Sequence, residues 1–188
     1  MRYDPSTLPN GDCMPFKRAL CALVLLTACG TQYRDTTAPI VAQADFDAAQ
    51  YIGKWYEIAR YPVPFQEGCT ATTATYQVLD GEKISVVNQC RQGDPSGPLD
   101  QIRGTARVVA PGELTVQFNR IPFLRAPYWV LWVDQDYQTA VVGVPNGRAG
   151  WILARSPDID PETRAKAEAV LKENGYDPNA LVETVHAP

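Results

Sequence analysis

Apolar and polar residues alternate with a period of two along much of the chain, in short runs that turn-forming residues interrupt at regular spacing. Asp80-Gly81, Pro111-Gly112, Asp134-Gln135-Asp136 and Asn146-Gly147 separate these runs. Such punctuation indicates an antiparallel sandwich or barrel. Strands are predicted at 53–60, 71–79, 82–90, 101–109, 113–119, 128–134, 138–144 and 150–155; eight is the number whose closed ring encloses one small ligand. The period then changes. Asp160-Pro161-Glu162-Thr163 supplies an N-cap with proline at the first helical position, Arg164 to Glu173 are good helix formers, and Asn174-Gly175 is the stop. The apolar stripe of this helix is small, Ala167, Val170 and Leu171, which suits close packing on a barrel's outer wall. Leu181 to Val185 predicts a short ninth strand.

Two strands say most about the interior. In the fourth, Gln101, Arg103, Thr105 and Arg107 share one face while Ile102, Gly104, Ala106 and Val108 share the other, so the small apolar face looks inward. Glycine and alanine there either leave space for a ligand or admit bulky side chains from across a packed barrel. The sixth, Tyr128-Trp129-Val130-Leu131-Trp132-Val133, is apolar on both faces. Its outer face needs a cover, which the helix, a second copy of the chain or lipid could provide. The aromatic, proline-rich loop Tyr61-Pro62-Val63-Pro64-Phe65 reads as one lip of the barrel mouth or simply as a rigid connection, and Ile121-Pro122-Phe123-Leu124 as another lip.

The front of the chain changes the picture. Lys17-Arg18 precede the apolar stretch Ala19 to Ala28 and then Cys29, the order of a secretory signal. About ten apolar residues are too few to span a bilayer. Leu26-Thr27-Ala28-Cys29 is similar to a bacterial lipobox, which implies acylation of Cys29 and removal of residues 1–28. Residues 1–13 carry Asp4 and Asp12 ahead of the basic pair, so Met14 is the expected start. Gly30, not aspartate, follows that cysteine, and the resemblance to bacterial lipoproteins then implies the outer membrane, facing the periplasm. Residues 29–44 are expected to be a lipidated cysteine with a flexible tether, and 45–188 one domain. The net charge of −4 and the lack of a Lys/Arg run argue against nucleic acid as a partner. Of the five cysteines, export leaves Cys69 and Cys90 as a pair in an oxidising compartment, either bridged or as two thiols. A two-residue turn at Asp80-Gly81 sets Leu79 opposite Glu82 and Cys90 opposite Ala71, so a bridge requires Cys69 to curl off the ladder end.

The run Gly53-Lys54-Trp55-Tyr56-Glu57-Ile58-Ala59-Arg60-Tyr61-Pro62, the segment Asn88-Gln89-Cys90-Arg91, the turn Asp134-Gln135-Asp136-Tyr137 and Arg155 follow one another in an order that resembles bacterial outer-membrane lipocalins. The resemblance covers the chain from about Phe46 onward. It implies an all-β fold, an eight-stranded antiparallel up-and-down barrel with one C-terminal α-helix and a short ninth strand, holding an apolar ligand inside. It also implies a barrel floor of Gly53 and Trp55 beneath Arg155. Alternation and resemblance together assign Tyr76, Val78, Val86, Asn88, Gly104, Ala106, Phe118, Tyr128, Val130 and Trp132 to the ligand-facing wall, with Tyr61 and Phe65 at the mouth. Tyr76 and Asn88 are the candidates for head-group contacts.

Catalysis has little to work with. His186, two residues from the end, is the only histidine, so a Ser-His-Asp or Cys-His arrangement would depend on a tail expected to fray. No metal-ligand spacing, phosphate loop or dinucleotide fingerprint is present, and no cofactor or metal is expected. A haem carrier is disfavoured for want of an iron-ligating histidine. The expected function is a lipid-anchored carrier of fatty acids, lysophospholipids or similar amphiphiles, with a homodimer as one arrangement. The alternatives are an envelope interaction module using the sixth strand's outer face, or a lipocalin-fold enzyme using an unpaired cysteine.

Overall fold

The computed structural model describes residues 31–79 and 83–187. Eight strands form the ring: β1 Gly53–Arg60, β2 Cys69–Val78, β3 Lys83–Gln92, β4 Leu99–Ala110, β5 Glu113–Phe118, β6 Arg125–Val133, β7 Thr139–Gly143 and β8 Gly150–Ala154. Each pairs antiparallel with its sequence neighbour, and β1 pairs with both β2 and β8, which closes the barrel. A one-turn helix α1, Ala48–Tyr51, precedes β1; its N-cap Asp47 accepts from Ala49 N. So short a helix has no periodicity to betray it. The connections 61–68, 93–98, 119–124 and 144–149 gather at one end of the barrel, and α1 with the β4–β5 and β6–β7 turns lies at the other. The turn expected at Asp80-Gly81 lies outside the described residues.

Two apolar clusters share the barrel wall. Inside, Trp55, Tyr76, Ile84, Val86, Ala106, Leu114, Val116, Val130, Val142 and Leu153 pack together. Outside, Ile58, Ala59, Leu131, Val141 and Ile152 pack under helix α2, Pro161–Glu173, which contributes Ala167 and Leu171. The helix therefore covers the outer face of β6. Its alanine permits close approach, and its start is fixed by Asp160, whose carboxylate accepts from Thr163 N at 2.9 Å and the Thr163 hydroxyl at 2.7 Å.

β-bulges interrupt strict alternation, and they account for the departures from the sequence reading. One between Val130 and Trp132 leaves Val130 inside but turns both Leu131 and Trp132 outward. Trp132 thus packs in the outer cluster with Lys166 over its ring at 4.8 Å, not on the ligand wall. Another, in β2 between Thr70 and Thr73, contains Ala71 at φ 45°. Leu79 pairs with Lys83 rather than Glu82, one residue off the expected register. The bulge changes the pairing again, so that Cys69 remains in the ladder opposite Gln92 and its Cα comes within 5.4 Å of Cys90. The two are joined by a disulfide without Cys69 leaving the strand.

Both ends of the described residues pack on the barrel. Of the segment expected to be a free tether, Arg34 is buried, bridges to Tyr176, and donates to Asn174 O at 2.7 Å and Pro145 O at 3.1 Å. Tyr33 stacks on Tyr61, which is fully buried between Tyr33 and Tyr176 on the outer wall and so does not form a lip of the mouth. At the other terminus β9, Val182–Glu183, pairs with the end of β1. The tail continues: Ala71 N donates to Val185 O, and the His186 ring nitrogen Nε2 lies 2.7 Å from Glu57 O. The expected fraying does not occur.

Candidate functional site

Accessibility along the inward-facing positions divides the barrel interior into two halves. Val86, Ala106, Leu114, Val116, Val130 and Leu153, toward the α1 end, are buried; here the small Ala106 accommodates its neighbours Ile84 and Val116 in a packed core. Toward the other end Ala74, Asn88, Ile102, Phe118, Ala126, Tyr128 and Trp151 are only half-buried. The upper half is thus an open cup with apolar walls. Gly104 belongs to its lower wall, where a side chain would strike the Gln117 carbonyl and the Phe118 ring.

Three phenols form the base of the cup. Tyr76 donates its hydroxyl to Tyr128 at 2.9 Å, and Tyr128 and Tyr51 hydroxyls are also 2.9 Å apart. Burial holds all three in the neutral form. It pushes Tyr76 up to about 12, against the opposing hydrogen bond to Tyr128, and raises Tyr51 and Tyr128 well above the ordinary phenol value.

A polar network borders the cup on the β1 side. Glu57, buried on the inward face two residues after Trp55, accepts from the Thr184 hydroxyl at 2.6 Å, from Gln66 Nε2 at 2.7 Å and from Arg60 Nη1 at 3.2 Å. Gln66, in the 3-10 turn Pro64–Gln66, also accepts from Trp151 Nε1 at 2.9 Å. Glu57 thus ties the first mouth loop and the C-terminal tail to the barrel wall. Thr72 Oγ1, Asn88 Oδ1 and Arg60 Nε are buried without a hydrogen-bond partner among the described residues, as is the Tyr61 hydroxyl on the outer wall. A buried polar atom without a partner costs about 1–3 kcal/mol, so a ligand's donors could satisfy the two cup oxygens and a ligand's acceptor the Arg60 Nε–H.

Below the packed half lies the floor. The Arg155 guanidinium stands 3.9 Å from the Trp55 ring centre and donates to the carbonyls of Gln50, Ile52 and Lys54 at 2.9–3.0 Å. Gly53 has φ +110°, and a Cβ there would lie 3.0 Å from Arg155 Nη1.

The structure brings Tyr76, Asn88, Gly104, Phe118 and Tyr128 together around the cup, with Val86, Ala106 and Val130 in the packed layer beneath. Val78 is 66 % exposed at the floor end of β2, outside the cup, where it borders a cleft with Phe46, Ala49 and Val109. Phe65 stands exposed at the rim. Cys29 lies outside the described residues. Sequence reasoning missed Glu57, Thr72 and Thr184; alternation from Trp55 marks Glu57 as inward-facing, whereas Thr72 is concealed by the bulge. Asp134 acts as a turn brace, its carboxylate accepting from Gln138 N and Thr139 N. Among the described residues no cluster of His, Cys, Asp and Glu could hold a metal, and no helix is long and apolar enough to cross a membrane.

Comparison with known proteins agrees with this geometry. The family model for a lipocalin-like domain matches residues 46–186. Outer membrane lipoprotein Blc of Escherichia coli is 31% identical over 170 residues, covering 90% of this chain and 94% of that protein. Apolipoprotein D of Mus musculus is 32% identical over 155 residues, 77% of this chain and 79% of its own length. Among solved structures, insecticyanin from the tobacco hornworm Manduca sexta superposes with a TM-score of 0.64 at 22% identity, covering 80% of this chain and 86% of that one, a likeness that speaks to the fold alone. A family match that spans the whole barrel, together with a relative of this identity along nine-tenths of the chain, is decisive: the chain belongs to the lipocalin family.

Proposed function

We propose that this lipocalin is a carrier for single-chain amphiphiles, fatty acids or lysophospholipids, held at the outer membrane by acylated Cys29 and facing the periplasm. The observation that carries the reading is the half-open cup, whose apolar wall ends in the unpartnered oxygens of Thr72 and Asn88. A chain of about 14 methylenes gains on the order of 10 kcal/mol by transfer out of water, and ordering and association costs offset much of that. The two oxygens can accept from a head group's hydroxyl or ammonium, and the unpartnered Arg60 Nε–H can donate to a carboxylate or phosphate. Similarity to an outer membrane lipoprotein supports the location. The disulfide occupies both cysteines of the barrel, so an enzyme working through a free thiol has less support. Native mass spectrometry with lipid extraction, on protein purified from a bacterial periplasm, tests the carrier. A discrete co-purified amphiphile is expected. An empty barrel that also refuses added lysophospholipid and fatty acid would defeat the proposal.

A further inference from the structure

The end of the barrel that opens the cup also carries the most exposed aromatic side chains among the described residues. Phe123 is 98% exposed and Phe65 74%, with Ile121, Leu124 and Leu99 each more than half exposed beside them. The loop carrying Phe123 is held by its own hydrogen bonds: Ile121 N donates to Phe118 O, Leu124 N to Ile121 O, and the Gln117 amide to Pro122 O. An ordered turn that keeps apolar side chains in water marks an interaction surface.

Charge narrows the choice of partner. Arg91, Arg120, Arg125 and Arg148 lie at this end against Glu67, Asp94 and Asp100, whereas the chain as a whole carries −4. Arg125 and Arg107 also border a cleft of about 280 Å³ that runs from Pro122 down the outer wall of β4 and β5. Neither makes an ion pair among the described residues. The path of the chain agrees. Tyr33 N donates to Gly147 O at 2.8 Å and its hydroxyl to Pro62 O at 2.7 Å, so the N-terminal segment enters the fold at the open end. Only three residues separate Tyr33 from Cys29, a reach of at most about 14 Å.

We infer that the open end of the barrel is a membrane-docking face: the 119–124 turn enters the interfacial layer of an anionic bilayer, and the neighbouring arginines meet lipid phosphates. Phe123, Ile121 and Leu124 supply the apolar contact; Arg125, without an ion pair among the described residues, and Arg120, which shares its charge with Asp100 at 3.7 Å, supply the electrostatic attraction. Ligand then passes between bilayer and cup without crossing water. This last consequence rests on the carrier reading; docking itself does not.

The test uses residues 31–188, which hold every element of the described fold and lack the lipidation site, so any docking belongs to the barrel. Co-sedimentation is measured with vesicles of phosphatidylethanolamine and phosphatidylglycerol, and with phosphatidylcholine alone. Ile121→Ser with Phe123→Ser is expected to weaken binding to both by about tenfold or more. Arg120→Gln with Arg125→Gln is expected to weaken binding only to the anionic vesicles, and the difference should vanish at high salt. Near-ultraviolet circular dichroism checks that these surface variants stay folded. Docking by a barrel that is empty and refuses added lysophospholipid and fatty acid would leave this inference standing while defeating the carrier. The inference is overturned if the parent ignores both vesicles, if the loop variant binds as the parent does, or if Phe123 proves to be spent in a dimer of two copies.

Discussion

Replacing Gly53 by alanine forces a Cβ into a left-handed backbone and against the Arg155 guanidinium that lies on Trp55. A loss of about 1–3 kcal/mol in urea denaturation is expected. Arg155→Leu removes the cation from the ring and strips four carbonyls, those of Gln50, Ile52, Lys54 and Tyr137, of their donor, for about 2–4 kcal/mol. Both substitutions act through one guanidinium, so the double variant should lose clearly less than the sum; strict additivity would contradict the coupling. The floor was legible only through the resemblance to lipocalins, since glycine and tryptophan two residues apart recur by chance and nothing in their spacing names Arg155 as the partner. The polar groups of the cup were less so. An inward glutamate in β1 follows from alternation, but nothing in the types of Gln66, Thr184 and His186 announces that they converge on it. The buried phenols give a second residue-scale expectation. Their folded pKa values lie above the unfolded value of about 10, so the stability gained by keeping them neutral is complete below pH 10. It is lost as the pH rises toward and beyond about 12, the value to which Tyr76 is pushed. Tyr61 and Tyr176, buried on the outer wall, are raised by burial as well, so phenolate absorbance should show five of the nine tyrosines ionising only with unfolding. A single wave near pH 10 would rule out the closed triad.

Among the elements, the eight strands and α2 fall within about three residues of where alternation and turn chemistry put them, since each is defined by a side-chain period that burial enforces. The bulges are not so defined. The Ala71 residue adopts φ 45° with no glycine or asparagine to signal it, and in β6 the sequence stays apolar straight through the change of face, so Trp132 could be placed only by seeing the fold. Residues 31–44 were equally opaque. Their hydrogen bonds run to the barrel surface and to the end of α2, and such a strap needs no periodicity. Arg34 is its main fastening, buried and bonded to two carbonyls across the molecule. Arg34→Ala leaves those carbonyls without a donor and is expected to cost about 2–4 kcal/mol. The strap should at the same time become a site of rapid limited proteolysis while the barrel fragment survives. A variant as protease-resistant as the parent would mean that Arg34 does not hold it.

For the molecule as a whole, the division of the interior into a packed lower half and an open upper half implies a stability penalty that a purely structural barrel would not retain. Unpartnered buried oxygens at Thr72 and Asn88 lower the stability of the empty protein, and a bound donor recovers the loss. Thr72→Val with Asn88→Leu removes both oxygens at little change of volume. The empty double variant should therefore be at least as stable as the parent, with a Tm higher by about 2–4 °C for each 1 kcal/mol regained in a chain of this size. Added lysophospholipid should stabilise it less than it stabilises the parent, while a ligand held only by its acyl chain should stabilise both alike. Differential scanning calorimetry with and without ligand separates the two effects. A variant that is less stable when empty would mean that these oxygens already have partners in solution. A variant that is more stable yet equally responsive to lysophospholipid would mean that the head group is read elsewhere, with the Glu57–Arg60–Gln66 border the next place to look.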